Sequence, residues 1–135
     1  MQGRRTVAAL ATGCLFCWLC FGAVKASAEW MKFGVTNEGD VHYVDIETIK
    51  RSGPRRVQIW ARIELAKPTY GMETRSVRVL VEHDCLLRRQ RSLRVTFYTG
   101  PNFTGSTDSV GAGAWVDIGY NNMGAELHTA VCQFK

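Results

Sequence analysis

Outside its first 28 residues the sequence has no Cys-x-x-Cys pair. Nowhere does it carry a glycine-rich phosphate loop, a His-Glu-x-x-His motif or a serine-nucleophile elbow. Those motifs are the compact signatures of redox, nucleotide, metalloprotease and acyl-transfer chemistry. Histidine is scarce as well. His42, His83 and His128 stand apart in sequence, and none has a partner at metal-ligand spacing. The reading is of a non-enzyme with no catalytic residue, no metal site and no required cofactor. There is no internal repeat, low-complexity tract or interdomain linker, and 135 residues make one domain or less.

The first 28 residues read as a cleaved signal peptide. Arg4 and Arg5 supply a positive start, Val7 to Val24 is an apolar run, and Ala26-Ser27-Ala28 is a small-residue cleavage site. Two other fates stay open. The run is near the lower length for spanning a bilayer, so it could be retained as an anchor. Cys14 could instead be lipidated, although Ala11-Thr12-Gly13 before it lacks the usual large aliphatic residue. With cleavage, residues 29–135 form a single domain with no transmembrane anchor.

Cleavage changes the arithmetic. Three of the five cysteines lie in the leader, which leaves Cys85 and Cys132. Two cysteines in a small exported domain are expected to form one disulfide in an oxidising compartment. The leader also holds three of the 17 basic residues and none of the 12 acidic ones, so the remainder carries 14 against 12. A net charge of +2 gives little reason to expect nucleic acid as a partner.

What is present is strand periodicity. Thr74 to Tyr98 contains two alternating segments around a cysteine, with six arginines spread through it. Val77, Val79, Val81, His83 and Cys85 share one parity, and Leu93, Val95 and Phe97 share one on the second segment. This predicts an antiparallel hairpin with the Cys85 sulfur toward the core, and His83 as a core histidine. Met31, Phe33 and Val35 alternate in a first strand, and Asn37 to Asp40 is a turn. Val41 to Asp45 returns, with Asp45 as the cap of a short helical turn in preference to a catalytic carboxylate. Val57, Ile59, Ala61, Ile63 and Leu65 mark the clearest strand. Trp60 lies on its polar side. If the strands are neighbours, Trp60, Arg62, Arg78, Arg94 and Tyr98 share one face. They then form either a binding platform or a tryptophan packed under arginine stems. Ser106 to Val110 suggests a short edge strand, and exposed edges make a homodimer plausible. A final helix follows Asn121 or Asn122, with Leu127, Ala130, Val131 and Phe134 as its apolar stripe. Cys132 beside that stripe would tie the helix to Cys85 on the apolar face of the sheet.

The chain resembles the surface-adhesin protein E family. The resemblance rests on Tyr43-Val44-Asp45 with Ile49, on Trp60, on Arg75-Ser76-Val77 and on Cys85. It continues through Arg94, Thr96-Phe97-Tyr98, Gly105, Trp115 and Ala130-Val131-Cys132. It implies an α+β fold: an antiparallel sheet of about six strands, with a C-terminal helix on one face held by a disulfide. It further implies a bacterial adhesin that contacts host extracellular-matrix or serum glycoproteins such as vitronectin or laminin. Haem binding is also attributed to the founding member of the family, and a small-ligand carrier of that kind would use His42 or His128 as the axial ligand. A periplasmic domain of structural or partner-binding role is the remaining alternative.

Overall fold

The computed structural model describes residues 28–69 and 73–134. The leader, with Cys14, Cys17 and Cys20, lies outside the described residues. Five strands follow one another as an antiparallel meander: β1 (Met31–Val35), β2 (Val41–Gly53), β3 (Arg56–Thr69), β4 (Thr74–Asp84) and β5 (Arg89–Tyr98). Two short strands, β6 (Thr107–Val110) and β7 (Val116–Asp117), both pair with β5. One helix, α1 (Met123–Gln133), closes the chain. This is the expected fold class, with β7 added to the strands that periodicity marks. Two residues are too few to show an alternation.

The alternation of β3 decides which face is the core. Val57, Ile59, Ala61 and Leu65 are buried. Val57, Ile59 and Ala61 meet Val44 of β2 and Val131 of α1. Burial of this apolar set favours docking of the helix. Asn122 starts the helix, its Oδ1 accepting the Ala125 N–H at 2.9 Å. Cys85 and Cys132 form a disulfide across 47 positions of sequence, so the sulfur parity inferred for Cys85 holds.

The helix is rotated from the expected stripe. Leu127 and Val131 face the core, whereas Ala130 is exposed and Phe134 is 50% exposed. Ala125 and His128 are buried in their place. The disulfide at Cys132 and the fit of His128 against β4 set the rotation, and apolar spacing alone carries neither constraint.

Three register shifts move residues off the faces that strict alternation assigns. In β1 the shift at Phe33 puts Met31 opposite Val44 but Val35 opposite Val41, so Met31 and Val35 point to different faces. In β5 the shift opposite Leu80 and Val81 makes Leu93 the extra residue. Ser92 then pairs with Val81 on the helix side, and Arg91 pairs with Glu82 on the other. In β2, besides a shift between Arg51 and Gly53, one lies between Asp45 and Lys50. Asp45 caps no helix there. Its Oδ1 accepts the Glu47 N–H at 3.2 Å, and Thr48 Oγ1 bridges the Asp45 carbonyl and the Trp60 N–H. The short polar side chain satisfies backbone groups that the bulge takes out of the ladder.

Candidate functional site: the outer face of the sheet

The helix covers one side of the sheet and leaves the other to solvent. On this outer face, register places Tyr43, Asp45, Trp60, Arg62 and Glu64 in rows with Ser76, Arg78, Leu80 and Glu82. Arg91, Arg94, Thr96 and Tyr98 continue the same rows. Trp60, Arg62, Arg78, Arg94 and Tyr98 are thus brought to one face. The Trp60 ring does not lie open, because the Arg78 guanidinium sits over it at 4.2 Å.

The rest of the face repeats this theme. Arg62 stacks on Tyr43 at 5.0 Å and on Phe103 at 5.2 Å. Arg56, Arg89 and Arg91 surround the Trp115 ring at 5.3, 4.7 and 4.6 Å. Stacks of this kind occur about once per 70–80 residues in ordinary proteins. Their density here makes a built layer of guanidiniums over rings on this face. Their hydrocarbon stems cover apolar surface while the charged ends stay wet.

Of the carboxylates beneath, Glu82 and Asp84 are buried and Glu64 is partly exposed, and Asp84 Oδ2 has no hydrogen bond. Burial would raise the Glu82 pKa. Hydrogen bonds from Gln58, Ser52 and Arg91, with the Arg91 charge, outweigh burial and hold it below the ordinary value. Asp84 accepts the Leu87 and Leu86 N–H groups through Oδ1 and lies near the guanidiniums of Arg55 and Arg89. The bond from Leu87 leads in lowering its pKa. Glu64 pairs with Arg62 at 2.6 Å and receives the Asn102 N–H. Arg62 also donates to Asn102 Oδ1.

The 99–106 loop folds back on this face. Ser76 Oγ donates to the Gly100 carbonyl at 2.7 Å and accepts the Phe103 N–H at 3.0 Å. Asn102 and Phe103 both have positive φ, 53° and 61°, a costly region for a bulky side chain. Phe103 gains contacts with Tyr98 at 5.1 Å and Trp30 at 5.6 Å. Gly105, at φ 83°, closes the loop where a Cβ would collide with Thr99 Oγ1.

Sequence reasoning on site residues passed over Phe103, Trp115, Arg56, Arg89 and Arg91. The excess of arginine in the hairpin was a visible signal. The contribution of Trp115 was not, since it reaches the face through β7. The disulfide lies where expected, on the opposite side.

That side holds two further features. A cavity of about 460 Å³ lies between sheet and helix, lined by Phe33, Val44, Ile63, Val79 and Leu127 with His42 at its border. His83 and His128, which stand 45 positions apart, meet Nδ1 to Nδ1 at 3.1 Å. Only one of the two nitrogens carries the shared proton. His83 Nε2 has no partner, and a tautomer that leaves it unprotonated avoids burying an unmatched N–H. His128 is thus committed to His83 and buried, so of the two histidines considered for haem only His42 borders the cavity. Among the described residues no group of three His, Cys, Asp or Glu is placed to hold a metal ion, and no helix is long and apolar enough to cross a membrane.

A model of the family described as surface-adhesin protein E matches residues 30–133. The chain belongs to the surface-adhesin protein E family. Among solved structures, crystal form II of Haemophilus influenzae protein E is similar at a TM-score of 0.59 and 18% identity, covering 76% of this chain and 86% of that one. Protein E from non-typeable Haemophilus influenzae is similar at a TM-score of 0.58 and 18% identity, covering 81% of this chain and 78% of that one. At this identity the likeness establishes the fold. No curated protein matches the sequence.

Proposed function

We propose that this protein is an exported, non-catalytic bacterial surface adhesin. Residues 1–28 are removed as a signal peptide, and residues 29–135 act as one domain. Its outer face, with Trp60, Arg62, Arg78, Arg94 and Tyr98, contacts host extracellular-matrix or serum glycoproteins such as vitronectin or laminin. Membership of the surface-adhesin protein E family over residues 30–133 is the observation that carries this reading.

Location is tested by protease treatment of intact cells, with a periplasmic protein as control. Digestion with the control spared is the expected result. Protection until the outer membrane is opened would assign the protein to the periplasm and remove the adhesin reading. Contact through the outer face is tested by Arg78→Glu with Arg94→Glu. The double variant should lose most binding to immobilised glycoprotein while keeping its melting temperature, because charge reversal acts on encounter and register. Unchanged binding would rule out this face.

The cavity bordered by His42 favours a second reading, a small-ligand carrier. Its size falls in the range of ordinary ligand sites, about 300–1,000 Å³. A hemin titration without a saturable change in the Soret band would remove haem as the ligand.

A further inference from the structure

We infer that the outer face recognises sulfated polysaccharide chains of the extracellular matrix, with Arg56, Arg78 and Arg94 as the residues that hold their sulfate groups. This rests on the adhesin reading above and gives its partner a chemical class. The three guanidiniums make no hydrogen bond or ion pair with any described residue. Arg78 lies over the Trp60 ring at 4.2 Å and Arg56 over the Trp115 ring at 5.3 Å. Arg94 is exposed and lies across Leu80 from Trp60.

A guanidinium over a ring is restrained, yet an N–H edge stays free; in Arg78 it is the edge of the two terminal nitrogens, since its Nε is buried. An oxyanion needs that edge, since one planar fork donates two parallel hydrogen bonds to two oxygens of one group. Less side-chain entropy is lost on binding, because the ring has already oriented the fork. Glu64 is taken by Arg62, and Glu82 by Arg91, Gln58 and Ser52; Asp84 gives Oδ1 to the turn after β4 and faces Arg55 and Arg89 with Oδ2. The positive charge without an ion pair on this face is that of Arg56, Arg78 and Arg94, with Lys50 at the exposed position opposite Gln58.

Their arrangement suits an extended, repeating polyanion. Arg56 and Trp60 are four residues apart on β3, a distance of roughly 13 Å at the strand rise. The Trp115 cluster and the Trp60 cluster are thus two stations along one flat face. A single-stranded nucleic acid offers repeated anions too, but it binds mainly by stacking bases on open aromatic rings. Here the rings of Trp60 and Trp115 already carry guanidiniums. A sulfated glycan asks for the edges and leaves the ring faces alone.

The protein as the cell exports it would be passed over immobilised heparin and over unsulfated heparosan in parallel. Binding to heparin but not heparosan is expected, with a fall in affinity as salt rises. The variant Arg56→Gln, Arg78→Gln, Arg94→Gln keeps most of each stem and removes the charge. It should bind heparin roughly ten- to a hundred-fold more weakly for each sulfate left without its guanidinium. Arg51→Gln with Lys67→Gln removes charge away from this face and should have little effect. Melting temperature reports whether each variant is folded. Equal binding to heparosan, equal loss in the control variant, or tighter binding to single-stranded DNA would overturn the inference. If heparin fails while immobilised vitronectin or laminin still binds through Arg78 and Arg94, the adhesin reading survives and the glycan is wrong. If neither binds, both are wrong.

Discussion

Replacing Cys85 and Cys132 together with serine should lower the free energy of unfolding by about 4 kcal/mol, the loop-entropy value for a bridge across 47 positions. The larger effect should be local. An 11-residue helix is shorter than the roughly 12–15 residues at which isolated helices become marginal in water. Its buried contribution is limited to Ala125, Leu127, His128 and Val131. Without the bridge, α1 should separate from the sheet before the sheet itself unfolds. Hydrogen exchange would show this as reduced protection over residues 123–133 at denaturant concentrations where β3 and β4 remain protected. Urea unfolding would then show two steps where the wild type shows one. If α1 and β3 exchanged together in the serine variant, the helix would be held by packing and the bridge would be incidental.

Acid should weaken the same side of the molecule. Burial, and then the nearby His128, pushes the His83 pKa from its ordinary 6.5 down to about 4. His128 is lowered too, by burial and then by Arg88, with Asp84 acting in the opposite sense. The unfolded chain therefore binds more protons than the folded one between these values. The contribution from His83 is complete above pH 6.5 and is lost as pH falls toward 4. A shift from 6.5 to about 4 amounts to roughly 3 kcal/mol for His83. Urea midpoints measured at intervals from neutral pH down to about 4 should fall steadily through that window. His83→Gln keeps a hydrogen-bonding group beside His128 without a titrating ring, and should flatten most of the fall. A slope that is unchanged in this variant would assign the acid sensitivity elsewhere. At lower pH a separate loss begins, because the lowered pKa values of Glu82 and Asp84 make their protonation unfavourable to the fold.

The sequence spelled out the parts of this structure that follow a period of two. Val57 to Leu65 named the core face without ambiguity, and the parity of Cys85 aimed its sulfur at the helix. Those readings needed only adjacent residues. The register shifts at Phe33, Leu93 and Asp45 were hidden, because a bulge is a choice of hydrogen-bond pairing that leaves composition unchanged. The same limit hid the meeting of His83 with His128, which depends on the docking angle of α1. It also hid Trp115, which reaches the outer face through a two-residue strand. The five residues proposed for the platform did come together, since all sit on strands adjacent in the meander. The guanidinium over Trp60 could be expected only as one of two outcomes, since parity gives the face of a side chain and not what lies on it.

The two faces of this sheet answer acid differently. On the outer face the charge belongs to arginines that lie over aromatic rings. On the helix face the fit depends on two histidines remaining neutral. In an acidified environment the loss of stability would begin on the helix face, beneath a sheet whose outer layer does not depend on those histidines. The working range of the fold would end where the histidines charge.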